Sequence, residues 1–301
     1  MSSMRSIRWI GFAVLCVLAA SSWVIPQNST SVLPPLEEQG ILFFLMGFVA
    51  LLISLRGGWG RQKVSESLRI AGGSLGFFGV PLVVAEYAGS SVPAITRSAL
   101  FALAPVVVVI AVAAGDMVAG EERGARRFLV PALIGASGLL LLLPLEVSGS
   151  FRGRVMTGIV GAAVVSAGVS SVWLYRLLRE IRMVKAIALV GLANALFFLI
   201  CAALRDGIVW RWTDVISVVS ISSLVDVAEV LLIVWLLRDI PPIRFSSRYL
   251  VIPLVTVLES YVIERPEVTA RMAGGTFLLA AGAGLLLFLN AREEETVLSL
   301  R

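Results

Sequence analysis

Long apolar stretches alternate along this chain with short clusters of charged and turn-forming residues. The stretches are continuous, with none of the period-two alternation of a half-buried strand, and some, such as 99–115 and 277–289, are wholly uncharged. With charged and turn residues as boundaries, apolar helices are predicted at 7–25, 40–55, 70–87, 92–115 and 128–145. Five more follow at 155–175, 184–204, 215–237, 246–263 and 272–289. Several runs fall short of the roughly 20 residues that cross a bilayer core, so the ends of 40–55 and 246–263 are the least fixed.

The second set of runs echoes the first. Pro105 precedes an apolar run to Asp116, and Pro253 precedes a mostly apolar run to Glu264. Both members are displaced by 148 residues (253 − 105 and 264 − 116), and Gly138-Leu-Leu-Leu-Leu-Leu returns as Gly284-Leu-Leu-Leu-Phe-Leu. The predicted fold is therefore an all-α membrane protein of ten transmembrane helices, with repeats at 1–147 and 148–301. An odd number of spans per repeat makes the second copy start on the opposite side of the membrane, so the repeats are inverted. Positive-inside counting agrees when both termini are cytoplasmic. Of the 25 Lys and Arg, only Arg97, Arg152, Arg154, Arg205, Arg211, Arg265 and Arg271 then fall outside. Arg244 and Arg248 are counted among the cytoplasmic span ends. The first run also fits a secretory signal, with Arg5 and Arg8 before it and Ala19-Ala20-Ser21 at its end, but cleavage would break the five-and-five symmetry.

Composition states the solvent. At 58% hydrophobic, 15% charged and mean hydropathy +0.94, a chain of this length is solvated by lipid. The net charge of +5 is spread over short loops instead of forming one patch, which argues against nucleic acid as a partner. Cys16 and Cys201 sit in separate apolar runs, so no disulfide framework or thiolate metal site is expected. The absence of histidine removes the commonest general base and metal ligand. Proton chemistry then falls to carboxylates, and neither an enzyme nor a cofactor is expected.

The paired pattern resembles the EamA-like branch of the drug/metabolite transporter superfamily. Its residues here are Ser98-Ala-Leu-Phe-Ala-Leu-Ala-Pro105 to Asp116 with Ile134-Gly-Ala-Ser-Gly-Leu, then Leu250-Val-Ile-Pro253 to Glu264 with Ala281-Gly-Ala-Gly-Leu. Asp116 stands where the family usually shows glutamate, and Glu121 and Glu122 follow in a slightly longer loop. The resemblance implies ten helices around a central cavity and export or exchange of solutes ranging from amino acids to drugs and lipid-linked or nucleotide sugars.

Charged groups inside apolar runs are the best functional markers, since an ionised side chain at a helix centre costs about 2.5–3.5 kcal/mol on insertion scales. Asp226 and Glu229 lie three residues apart in the eighth run, on one helical face, where they suit binding of a proton or cation. Ser217, Ser220 and Ser223 continue that face as a polar stripe. Glu259 lies about 6 Å from the external end of the ninth run. Glu86 and Arg97, at facing ends of the third and fourth runs, read as an interfacial ion pair, with Arg97 alternatively a clamp for a substrate carboxylate or phosphate. Trp173 is the tryptophan placed to line a cavity. Pro105 and Pro253 read as symmetry-related hinges, and Gly161, Ala162, Ala163, Gly274 and Gly275 as close-packing positions. The function expected is alternating-access export of a small metabolite or drug across the cell membrane, with a lipid bilayer around it. A non-transporting scaffold or regulator is the alternative.

Overall fold

The computed structural model describes residues 2–24, 33–56, 63–118, 124–143, 145–146, 149–205, 207, 221–263 and 267–289. Every regular element among them is helical. The first half holds α1 (Ser2–Val24), α2 (Pro35–Arg56) and α3 (Val64–Ser74), which continues through a π-helical turn (Leu75–Gly79) into α4 (Val80–Ala88). Next come α5 (Ala94–Phe101), α6 (Ala104–Val118), a 3-10 turn (Gly124–Phe128) and α7 (Leu129–Leu142). The second half holds α8 (Phe151–Leu178), α9 (Met183–Arg205), α10 (Ile221–Asp239), α11 (Pro242–Ser246), α12 (Arg248–Ile263) and α13 (Ala270–Phe288).

Local chemistry sets the helix ends. Pro35 opens α2, where its missing N–H costs nothing, and Glu37 and Glu38 complement the positive end of the helix dipole. Ser150 caps α8 by accepting from the Gly153 amide at 3.0 Å, and Thr269 caps α13 by accepting from the Met272 amide at 3.2 Å.

Among the described residues, eight helical stretches are long and apolar enough to cross a bilayer, as in a multi-pass membrane protein. Four are composite: Val64–Ala88 runs through the π turn, Ala94–Gly115 across the break at Ala102 and Leu103, Gly124–Leu142 from the 3-10 turn into α7, and Pro242–Ile263 through the break at Ser247. The apolar part of α1 is shorter, Ser6–Ser21, and α10 carries Asp226, Glu229, Arg238 and Asp239. Outward faces are apolar too: Ile110, Val130, Leu196 and Phe277 are each more than half exposed, a surface that suits acyl chains. Of the run predicted at 215–237, positions 215–220, with Ser217 and Ser220, lie outside the described residues, as does Glu264.

Two antiparallel crossings form the largest helix contacts, α2 with α9 and α7 with α13. Their centres are glycines. A Cβ on Gly191 would sit 2.6 Å from the Gly47 Cα, and one on Gly282 would sit 2.3 Å from the Gly135 nitrogen. A Cβ on Gly138 would meet the Leu279 nitrogen at 2.4 Å. Backbone therefore lies against backbone at both crossings. Phe43, Phe78 and Phe198 pack edge-to-face around the first, with centroids 5.3–5.8 Å apart. Gly275 does close-pack, against Leu142, whereas Gly161 faces open space: a Cβ there meets nothing within 4 Å, because that face of α8 points away from the bundle.

Arg244 and Arg248, counted at the cytoplasmic end of the ninth span, prove to be buried side chains. Both lie within the Pro242–Ile263 stretch and are 8% and 5% exposed, because α11 and α12 turn inward at Ser247 and carry the two side chains into the bundle.

Replacing Gly47 or Gly191 by alanine is expected to destabilise the protein by about 1–3 kcal/mol, the usual range for overpacking. Gly158→Ala and Gly161→Ala meet no neighbour within 4 Å and should be neutral or slightly stabilising. Thermal unfolding in detergent reads both; equal melting points for the two pairs would contradict the crossing.

Candidate functional site

The α2–α9 crossing leaves the other flank of α2 against α10, and an acidic pocket lies there. Gln39, Leu42, Phe43 and Met46 of α2 face Asp226, Val227 and Val230 of α10 around a shallow, open pocket. Asp226 and Glu229 are half-buried, one turn apart on the same face of α10. Glu38 of α2 is in electrostatic reach of Asp226, and Asp226 of Glu229, so three carboxylates form a row across the two helices. Ser223 lies one turn before Asp226 and is 2% exposed. A row of acids on apolar walls can hold a proton or the cationic group of a solute, which Gln39 can help orient.

Sequence reasoning placed Asp226, Glu229 and Ser223 but missed the α2 side of this pocket. Starting the second span at residue 40 left Glu37, Glu38 and Gln39 in a loop. The helix starts one turn earlier at Pro35, and Glu37 is 3% exposed. The Pro-Leu-Glu-Glu order is itself a helix-start signature and was the available signal.

Elsewhere the expected partners rearrange. Glu86 does not pair with Arg97; it accepts from Arg205 Nη1 at 3.0 Å, bringing the ends of α4 and α9 together. Arg205 also lies over the Tyr87 ring at 5.1 Å. Arg97 instead donates from Nη1 to the Ala85 carbonyl, in the last turn of α4, where the dipole favours a cation. With its guanidinium turned onto that carbonyl, the carboxylate of Glu86 is left to Arg205. Glu259 is held across helices, its Oε1 accepting from Ser21 Oγ of α1 at 3.0 Å, while Oε2 is buried with no hydrogen-bond partner among the described residues. Trp173 is 45% exposed and shares the outer stripe of α8 with Val165 and Val169, away from the acidic pocket.

The two prolines occupy different local settings. Pro105 is the second residue of α6, just after the helix breaks at Ala102 and Leu103, whose amides form tight turns to Ala99 and Leu100. Pro253 lies inside continuous α12, and the break of that span comes earlier, at Ser247. The fourth and ninth spans are thus both interrupted, but only the fourth beside its proline.

A buried polar junction was not singled out from the sequence. Asn194 of α9 is fully buried and donates to Ser74 Oγ at 3.1 Å and to the Val190 carbonyl at 2.8 Å. Ser166 of α8 donates to the Gly76 carbonyl at 3.0 Å. These contacts hold the π turn, which sets Phe77 and Phe78 between the helices.

No family model and no curated protein matches the chain. Among solved structures, a crystal structure described only as that of a protein is similar, with a TM-score of 0.68 at 23% identity, covering 94% of this chain and 99% of that one. At that identity the likeness bears on the fold alone.

Proposed function

We propose that this chain is an alternating-access carrier of small organic solutes, of the EamA-like type within the drug/metabolite transporter superfamily. The observation that carries the reading is the acidic pocket: Asp226, in electrostatic reach of Glu38 and Glu229, opens to a pocket whose other walls are apolar apart from Gln39. Carboxylates are costly in a bilayer and mark ion or solute paths there.

The pattern of packing supports the inverted-repeat part of the reading. Counting α1 and α10 as spans gives ten, and the principal contacts map onto themselves when each span is exchanged for the one five places away. The second span meets the seventh (α2 with α9) and the fifth meets the tenth (α7 with α13). The first meets the ninth (α1 with α12), just as the sixth meets the fourth (α8 with α6). Each self-paired crossing is antiparallel, as inversion requires, and is centred on glycines 144 and 147 positions apart (191 − 47 and 282 − 135). Interrupted fourth and ninth spans are in keeping with a carrier, since half-helix ends supply polar groups at membrane depth. In this reading two bundles, each drawn from both halves, rock about the glycine crossings and expose the pocket to either side in turn. Both termini lie in the cytoplasm, the membrane is the plasma membrane, and net movement is outward.

A thermal-shift screen of amino acids, sugars and cationic drugs identifies a solute, and counterflow in proteoliposomes then measures its movement. Loss of a charge-assisted contact costs about 1.5–3 kcal/mol, so Asp226→Asn combined with Glu229→Gln should slow flux roughly tenfold or more and flatten its pH dependence. Unchanged, pH-dependent flux in the folded double variant would remove the carboxylates from the mechanism.

A further inference from the structure

Arg248 is the first residue of α12, about 9 Å into the Pro242–Ile263 span at helical rise. Its guanidinium carbon lies 4.1 Å from the Phe245 ring centroid, 4.5 Å from Tyr249 and 5.0 Å from Phe77 of the π turn. Nη2 donates to the Tyr249 hydroxyl at 2.8 Å. Nη1 is buried and has no hydrogen-bond acceptor, and no carboxylate pairs with Arg248 among the described residues.

Aromatic rings solvate the charge but supply no lone pair in the plane of the guanidinium, where its N–H groups point. A buried charged donor left without an acceptor costs more than it returns, and such a group calls for an occupant. The amino-terminal end of α12 adds its dipole at the break in the span, and Arg244 is also buried, one turn earlier. Two features thus converge independently on one ligand chemistry, a helix amino terminus at membrane depth and a caged guanidinium whose buried Nη1 lacks an acceptor.

We infer that Arg248 is a binding residue for an oxyanion, a carboxylate or phosphate borne by the transported solute. The planar fork takes two oxygens of such a group, the geometry for which arginine is suited and lysine is not. Phe77 touches Phe78 at 4.7 Å, and Phe78 touches Phe43 of the acidic pocket at 5.8 Å, so a row of phenylalanines separates the anion site from the carboxylates. The solute's route to the site rests on the carrier reading above, whereas binding in detergent needs no transport.

The test uses the full chain in phosphatidylcholine nanodiscs, with inorganic phosphate and succinate as probes and chloride at matched ionic strength as reference. Wild type is expected to gain thermal stability from at least one probe. Arg248→Gln, folded by circular dichroism and gel filtration, should bind that probe about tenfold or more weakly, and Arg248→Lys should recover only part of the loss. The inference is overturned if neither probe stabilises wild type, or if Arg248→Gln responds as wild type does. Stabilisation only by phosphatidylglycerol in the disc would also overturn it, assigning the site to a lipid headgroup. Probe binding without counterflow of any solute would refute the carrier reading while leaving the anion site in place.

Discussion

Contact of backbone with backbone at two glycine crossings is the constraint on which the rest of this structure depends. In a bilayer the acyl chains solvate leucine as well as another helix does, so apolar area alone does not bring helices together. Close approach does, through many short dispersion contacts that a Cβ would prevent. Gly47 against Gly191 and Gly135 against Gly282 make that approach, and the intervening helices take their positions from it. Because α2 lies with one flank on α9, its other flank carries Gln39, Phe43 and Met46 toward α10, and that is what places a pocket at Asp226.

The polar groups fall into two kinds once the crossings are set. Some tie helix ends: Arg8 with Asp239 at 3.5 Å, Glu86 with Arg205, and Ser21 with Glu259 each join segments far apart in sequence. The two partly exposed ion pairs among them contribute at most about 1 kcal/mol and serve mainly to fix register. The others lie inside the bundle: the carboxylate row at Asp226, the caged Arg248, and Asn194 on the π turn. Packing alone does not require them, and leaving such groups in an apolar interior is costly.

Hydropathy made the helices legible because lipid enforces one rule along the whole chain: an uninterrupted apolar run must be helical to satisfy its own backbone. Helix covers most of each predicted run where it is described, the exceptions being run ends and the breaks at 102–103 and 247. What failed to show was decided by tertiary contact. Glu86 was paired with Arg97 because they are near in sequence, yet the closing of α4 onto α9 brings in Arg205 from 119 positions away. Arg248 looked like one more arginine at a cytoplasmic span end, because nothing in its neighbourhood in sequence announces that Phe77 of a different helix will cover it. The start of α2 was legible from Pro35 and its following glutamates, and weighing apolar residues alone passed over it. The π turn carries no sequence signature, since it arises from how α8 and α9 hold the third span.

Access to the acidic pocket from both faces of the membrane separates a carrier from a static scaffold most directly. With Cys16 and Cys201 replaced by alanine, a single cysteine at Val227 reports on the pocket wall beside Asp226. A membrane-impermeant thiol reagent is applied to right-side-out and to inverted vesicles, and modification is followed by mass shift. Alternating access predicts labelling from either side, at rates that a bound solute changes in opposite directions. Protection from one face under every condition, in a folded protein, would contradict it.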